Sequence, residues 1–278
     1  MRNNMDRMGM AADPDNGANL QSEAAPPQQM QFIVPTEIVE LPTKGLFYDE
    51  GHPLHHVRTI EIKHMTTKEE DILTNESYIK NGTVLDRLLQ SLIVDNNIRV
   101  KDLYVGDKNA LLVASRIYGY GPEYKTNIIC PACNASAQHH FNLHDLEHVP
   151  FEQNVIDNEV EIDYESKSFI MTIPRNGVKL ELRLLKDKNE TQKNKKTGLI
   201  DLYKRIIKSV NGNSNPTYID QYIKSMAAVD SRYLRAKYFK LIPNIDFSAD
   251  YECENCSNIS KVEVPLNAEF FWPDPELY

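Results

Sequence analysis

The four cysteines of this 278-residue chain are confined to two short repeats, Cys130-Pro131-Ala132-Cys133 and Cys253-Glu254-Asn255-Cys256, and Cys133 and Cys253 lie 120 positions apart. Two residues between thiols let a tight turn aim both sulfurs at one metal ion, and a closed structural zinc site takes four such ligands with no position left for water. Each repeat alone supplies half a tetrahedron. The spacing therefore predicts that Cys130, Cys133, Cys253 and Cys256 ligate one structural Zn2+, and that the fold joins the two ends of a long segment. Competing uses of the thiols fit less well. A redox pair wants a thiolate at a helix N-terminus, whereas strand-like runs flank both repeats, Tyr124-Lys125-Thr126-Asn127-Ile128-Ile129 and Ser260-Lys261-Val262-Glu263-Val264. Structural disulfides belong to an oxidising compartment, and the N-terminus shows no charged-then-apolar signal pattern. A catalytic zinc needs an open position that four thiolates deny.

Zinc ribbons often occur in proteins that handle nucleic acid, but the charge here points elsewhere. A net charge of −9 and a pI near 5.4 repel a phosphate backbone, so nucleic acid is not an expected partner. No apolar run approaches the roughly 20 residues that span a bilayer, so no membrane partner is expected either.

Residues 1–31 carry almost no large apolar side chain and cannot offset the entropy of ordering, so they read as a flexible N-terminal tail. Residues 32–122 read as an extended arm plus a helical module. Ile38-Val39-Glu40-Leu41-Pro42 suits the arm, and Lys44-Gly45-Leu46-Phe47-Tyr48 suits a turn with an apolar plug, because prolines and glycine disfavour a central strand. A strand, Thr59–Lys63, leads into helices. The first is capped by Thr66 or Thr67, with Glu69 or Glu70 as reciprocal partner, and is stopped at Asn81-Gly82. The second starts at Thr83 and sets Val84, Leu85, Leu88, Leu89, Leu92 and Ile93 on one stripe. The third runs from Asp107 until Gly119 and Gly121 end it.

Residues 123–143 and 246–266 are the predicted halves of a bipartite zinc ribbon, and 144–245 an inserted α+β domain. Within it Val160–Tyr164, Ser168–Ile173 and Val178–Leu184 alternate with period two, which gives a small antiparallel sheet with a turn at Pro174-Arg175-Asn176-Gly177. Residues 186–196, dense in lysine and asparagine, read as a solvated loop with no aromatic residue to stack on bases. Three helices follow: one carrying Leu199, Ile200, Tyr203, Ile206, Ile207 and Val210, one opening at Thr217, and one capped by Asp230. Residues 267–278 form an aromatic C-terminal segment. The fold class is α+β.

Nothing in the chain forms a catalytic constellation. There is no phosphate-binding loop, no nucleophile elbow and no His-Glu-x-x-His. His140, His144 and His148 recur every four residues and would align on a helix, but Phe141-Asn142-Leu143 reads as the ribbon's return strand, which disperses them.

Four runs carry a resemblance. Leu41-Pro42-Thr43-Lys44-Gly45-Leu46-Phe47-Tyr48, Met65-Thr66-Thr67-Lys68-Glu69-Glu70-Asp71-Ile72-Leu73, Asp230-Ser231-Arg232-Tyr233-Leu234-Arg235 and Phe270-Phe271-Trp272-Pro273 resemble, in that order, the base plate (baseplate hub) protein family of T-even-type contractile-tailed bacteriophages. The resemblance implies a non-enzymatic structural or assembly component of the tail baseplate hub, assembled in the host cytoplasm and located in the virion. Its partners would be other baseplate and tail hub proteins, with no nucleic acid, membrane or small-molecule substrate. Two other readings stand beside it: an assembly chaperone absent from the mature virion, which shares every one of these features, and a zinc-ribbon nucleic-acid-binding adaptor, which the cysteine repeats favour and the charge opposes. In a baseplate protein the N-terminal tail, the Leu46-Phe47-Tyr48 plug and Phe270-Phe271-Trp272-Pro273 would suit contacts with neighbours; ordinary packing of the last onto the core is the alternative.

Overall fold

Two antiparallel strands, β1 (Thr36–Glu40) and β2 (Thr59–Lys63), pair from Thr36 opposite Lys63 to Glu40 opposite Thr59 in the computed structural model, which describes residues 33–157, 160–186, 198–266 and 268–271. The segment expected as an extended arm is therefore paired, as one strand of a two-stranded sheet. Alternation explains it: Val39, Ile60 and Ile62 turn inward while Ile38 faces out.

The loop between the strands corrects a second expectation. Phe47 and Tyr48 are fully buried, and the Phe47 ring packs on Tyr104, Phe151 and Phe169 at centroid distances of 6.4, 6.2 and 5.3 Å. The plug fills this chain's own core, because aromatic rings of that size find enough apolar surface within it. Gly45 makes the turn at φ 73°, where a Cβ would sit 2.4 Å from the Val57 carbonyl oxygen.

Helix α1 (Thr67–Thr74) starts as its sequence requires, with the Thr66 N–H donating to the Glu69 carboxylate at 3.0 Å. It stops at Thr74 rather than at Asn81-Gly82. Asn75 accepts hydrogen bonds from the N–H groups of Ser77 and Tyr78 at 3.0 and 3.2 Å, and this cap begins a separate helix, α2 (Glu76–Lys80). Glu69 does more than cap. It is fully buried, accepts from the Ser91 hydroxyl at 2.6 Å and lies 3.4 Å from Lys63, so it joins α1 to β2 and to α3 (Val84–Leu92). Helix α4 (Val105–Tyr120) begins two residues before Asp107, contains Gly119, and ends at Gly121 with φ 83°.

The strands β3 (Glu123–Ile129) and β4 (Ser136–Asn142) form one hairpin; α5 (Phe151–Asp157), not foreseen from the sequence, follows Pro150. A four-stranded antiparallel sheet then runs in the order β5 (Glu161–Asp163), β6 (Ser168–Thr172), β7 (Lys179–Arg183) and β8 (Ile207–Val210). The β6–β7 turn falls at Pro174–Gly177 as expected, with Gly177 at φ 68°.

Strand β8 was expected as helix. Helix α6 (Leu199–Ile206) ends sooner because the open edge of β7 takes Ile207–Val210 as its partner, and backbone pairing outweighs a helical stripe that the same apolar residues also satisfy. Helix α7 (Pro216–Ser225) is capped by Asn215 with Pro216 at its first turn. In α8 (Ala228–Leu241), Asp230 is not the cap. It sits buried in the first turn, where the helix dipole favours an acid. A second hairpin, β9 (Ser248–Glu252) with β10 (Ile259–Glu263), completes the described strands.

The buried side chains from Val39 to Phe271 make one continuous cluster. The segment between the cysteine repeats enters and leaves side by side: the Val149 N–H donates to the Asn244 carbonyl at 2.8 Å, and the Asp246 N–H to the Glu147 carbonyl at 2.7 Å. At that junction α4 approaches so closely that a Cβ on Gly106 would lie 1.9 Å from the Pro243 oxygen. Phe270 packs on Tyr124 at 5.1 Å, and both Phe270 and Phe271 are buried, so this part of the aromatic segment is core. Residues 1–31, lysine-rich 187–196 and Trp272-Pro273 lie outside the described residues.

Candidate metal centre

Each cysteine repeat occupies the turn of one hairpin, and the two turns are built alike. In the first, the Cys130 N–H donates to the Ala135 carbonyl at 2.9 Å and the Asn134 N–H to the Cys130 carbonyl at 2.9 Å. In the second, Cys253 N–H reaches the Asn258 carbonyl at 3.1 Å and Ser257 N–H the Cys253 carbonyl at 2.8 Å. The residue after the second cysteine is left-handed in both, Asn134 at φ 58° and Ser257 at φ 51°. That conformation reverses the chain tightly enough to leave two thiols on one side of the turn. Each hairpin is also closed at its far end, by the Leu143 N–H on the Pro122 carbonyl and by the Val264 N–H on the Phe247 carbonyl, both 2.8 Å.

The hairpins face each other. Across the interface His139 of β4 meets Tyr251 of β9 edge to face at 5.2 Å, and the Tyr124 hydroxyl donates to the Pro265 carbonyl at 3.1 Å. This packing brings the four predicted ligands together. All four sulfurs lie within 4.8 Å of one another, with Cys130 to Cys256 at 3.8 Å and Cys133 to Cys253 at 3.7 Å. A tetrahedral zinc with Zn–S bonds of about 2.3 Å requires sulfur separations of about 3.8 Å. The donor set and its spacing thus fit a four-thiolate zinc. Cys130 and Cys253 are buried, Cys133 is half-buried and Cys256 exposed.

Backbone and amide groups prepare the sulfurs as acceptors. The Ala135 N–H and then the Asn255 side chain lower the Cys133 thiol pKa, and the Asn255 amide spans the two knuckles at 3.6 Å from Cys133 Sγ. Burial opposes ionisation of Cys253, but the N–H groups of Cys256 and Asn255 outweigh it and bring that thiol to about 6. Cys256 is pushed up to about 12 although the Asn258 N–H favours its thiolate, because the Cys133 thiol, burial and the remaining thiols oppose a further charge. Four sulfurs this close do not all ionise by themselves; a divalent cation supplies the charge that lets them.

The sequence pattern picked out the four cysteines that the fold brings together, but not the residues that support them. Asn134, Ser257 and Asn255 carry no signal alone; aligning one repeat on the other exposes the first two, as the residues that follow each second cysteine. The histidines disperse. His139 lies between the hairpins, while His140 is exposed on the opposite face of the same strand, and among the described residues the group with the spacing to hold a metal ion is the four cysteines.

No described helix is long and apolar enough to cross a membrane. No curated protein and no solved structure matches the chain. A family model described as T4 bacteriophage base plate protein matches residues 35–272, a span that contains the hairpins, both cysteine repeats and the segment between them. The chain belongs to the T4 bacteriophage base plate protein family.

Proposed function

We propose that this protein is a non-enzymatic structural component of the tail baseplate hub, with its fold clamped by one structural Zn2+ on Cys130, Cys133, Cys253 and Cys256. The observation that supports this most is the convergence of two like-built knuckles, 120 positions apart, into one tetrahedral-sized sulfur cluster within a baseplate-family chain. Bringing the ends of such a segment together costs about 4 kcal/mol by loop-closure scaling. A structural zinc contributes roughly 10–16 kcal/mol of apparent folding free energy. The metal therefore exceeds the cost it has to offset.

In this reading residues 123–143 and 246–266 form the zinc ribbon, residues 144–245 are carried on it, and the surfaces so fixed meet other baseplate and hub proteins. The four thiolates fill the metal's coordination sphere, so zinc supplies folding energy and no reaction chemistry.

Metal analysis of the purified protein tests the clamp directly, with one zinc per chain expected. Chelation or Cys253→Ser should lower the thermal midpoint and block hub assembly in a complementation assay. Iron in place of zinc, or full assembly with the metal removed, would sink the proposal. Mass spectrometry of purified virions separates a resident subunit, which leaves its peptides in the particle, from an assembly factor, which does not.

A further inference from the structure

Helix α8 carries apolar residues on two faces, and folding accounts for one of them. Leu234, Tyr238 and Leu241 are buried and make the stripe that packs on the core, with Asp230 buried at its first turn. A surface helix needs a single such stripe. On the opposite side Val229, Arg232, Ala236 and Phe239 are exposed, Val229 at 58% and Phe239 at 57%. Their spacing of three, four and three residues is that of the seam in a packed helix pair. With Lys240 they fall inside an arc of about 100° on a helix of about 3.6 residues per turn. Phe239 also lies on the wall of a cavity of about 330 Å³, which Leu184, Leu185, Leu202 and Ile242 line with it. The seam therefore ends in an apolar recess. The helix is cationic as well: Arg232, Arg235, Lys237 and Lys240 lie along it against one acid, the buried Asp230. Arg232, Arg235 and Lys240 form no ion pair among the described residues. In a chain of net charge −9 this helix reverses the overall field locally.

We infer that the outer face of α8 docks an acidic amphipathic helix of another protein. Its apolar residues meet Val229, Ala236 and Phe239, its carboxylates meet Arg232 and Lys240, and one large apolar side chain enters the cavity. Ala236, the small residue at the middle of the seam, leaves the hole that a partner's side chain fills. Charge complementarity selects this occupant. The same face of a second copy would set four cations against four, and like charges juxtaposed at an interface cost affinity. Duplex DNA would meet the cations, but it offers no side chain to the apolar seam or the cavity and is repelled by the rest of the chain. An anionic membrane takes helices whose broad apolar face is free, and in α8 that face is committed to the core. The inference rests on the baseplate reading only for the expectation of protein partners; α8 contains none of the four cysteines.

The test uses the full chain and a labelled peptide of three heptads, leucine at the seam and glutamate on both flanks, with fluorescence anisotropy as the readout. Repulsion among the glutamates keeps the peptide from pairing with itself at neutral pH. Saturable binding is expected, weakened about tenfold or more in the Arg232→Glu, Lys240→Glu double variant, two charge-assisted contacts being lost. Phe239→Ser should weaken it by about tenfold, as the loss of a seam anchor. All three positions are exposed, so an unchanged thermal midpoint shows that each variant is folded. A peptide with lysine in place of glutamate should fail to bind the wild-type chain and should bind the double variant. Neither zinc content nor hub assembly enters the measurement, so its failure would leave the zinc clamp standing. Absence of saturable binding, equal binding to the charge-reversed chain, a dimer of the chain that Phe239→Ser dissolves, or duplex DNA or phosphatidylglycerol vesicles that bind where the peptide does not would each overturn the inference.

Discussion

Thr43 holds the buried carboxylate of Asp107 at both oxygens, its backbone N–H donating to Oδ1 at 3.0 Å and its hydroxyl to Oδ2 at 2.6 Å. Tyr48 adds a third donor to Oδ2 at 2.7 Å, and its oxygen in turn accepts the Tyr104 N–H at 3.2 Å. The run Leu41–Tyr48, which carried part of the family resemblance, is thus a latch. It closes the β1–β2 loop onto the first turn of α4, where an acid also meets the helix dipole favourably. The same helix start packs against Pro243 at the exit of the segment between the knuckles. Loop and helix therefore share one small polar node in an apolar core, and Gly106, the neighbour of Asp107, is the residue that touches Pro243.

Replacing Thr43 by valine keeps the side chain's shape and removes one donor from that node. The Asp107 Oδ2 retains Tyr48, so the cost is expected at about 1.5–3 kcal/mol, the range for a hydrogen bond to a charged group. Asp107→Asn should cost more, about 2–4 kcal/mol, because its amide NH2 faces donors that need an acceptor. Urea unfolding of the two variants checks the order; an Asp107→Asn protein as stable as the wild type would remove the latch from the account.

Much of this fold was legible because local chemistry and tertiary demand agree. Thr66 with Glu69, the stripe from Val84 to Leu92, and Asn176-Gly177 each specify a cap, a face or a turn by themselves. Legibility failed where a distant strand edge decided. Ile207–Val210 satisfies a helical stripe and a strand equally, and only β7 settles which forms. Phe47 and Tyr48 likewise read as an exposed plug until Phe151, Phe169 and Asp107, more than 50 residues away, are seen around them. The four cysteines stood out because spacing alone marks them, whereas their supports, Asn134 and Ser257, are legible only as backbone conformation.

Two buried carboxylates should impose opposite pH dependences on stability. Burial disfavours ionisation of Glu69, but the Ser91 hydroxyl and the Thr66 groups outweigh it and lower its pKa from 4.5 to about 2. Its contribution is therefore complete above about pH 4.5 and is lost as pH falls toward 2. For Asp107 burial dominates the hydrogen bonds from Thr43 and Tyr48, and the pKa rises from 3.8 to about 6. The folded chain then keeps a proton that the unfolded chain releases, so this contribution declines as pH climbs from 3.8 to 6 and is flat above. Urea midpoints measured from pH 3 to 7 should show the decline disappear in Asp107→Asn, and the acid loss shrink in Glu69→Gln.

Gly106 tests whether α4 and the Pro243-Asn244 backbone must touch. A methyl group at this position would meet the Pro243 carbonyl oxygen at 1.9 Å, and both partners are backbone, which cannot move aside as a side chain can. Gly106→Ala is expected to cost about 3 kcal/mol or more, the range for overpacking together with displaced backbone. Gly82→Ala, at a turn with open space around it, should cost about 1 kcal/mol from its positive φ alone. Thermal melts of the pair compare a steric cost with a purely conformational one, and equal losses would mean the close approach contributes nothing.

The left-handed residue in each knuckle should govern how firmly the sulfurs are held. Ser257 at φ 51° pays a conformational cost that glycine would not, and valine would raise it, since a branched Cβ crowds the backbone there. Ser257→Val is expected to destabilise the zinc-loaded protein by about 1–2 kcal/mol and to release zinc to a chromogenic chelator faster than the wild type, because the turn it distorts aims both Cys253 and Cys256. Ser257→Gly should leave the release rate within about twofold of wild type, relief of the left-handed strain offsetting glycine's added freedom in the unfolded chain. The equivalent change in the first knuckle, Asn134→Val, at φ 58°, should act in the same direction through Cys130 and Cys133. A valine at either position that left chelator kinetics unchanged would show that the turn's backbone does not set the geometry of the four sulfurs.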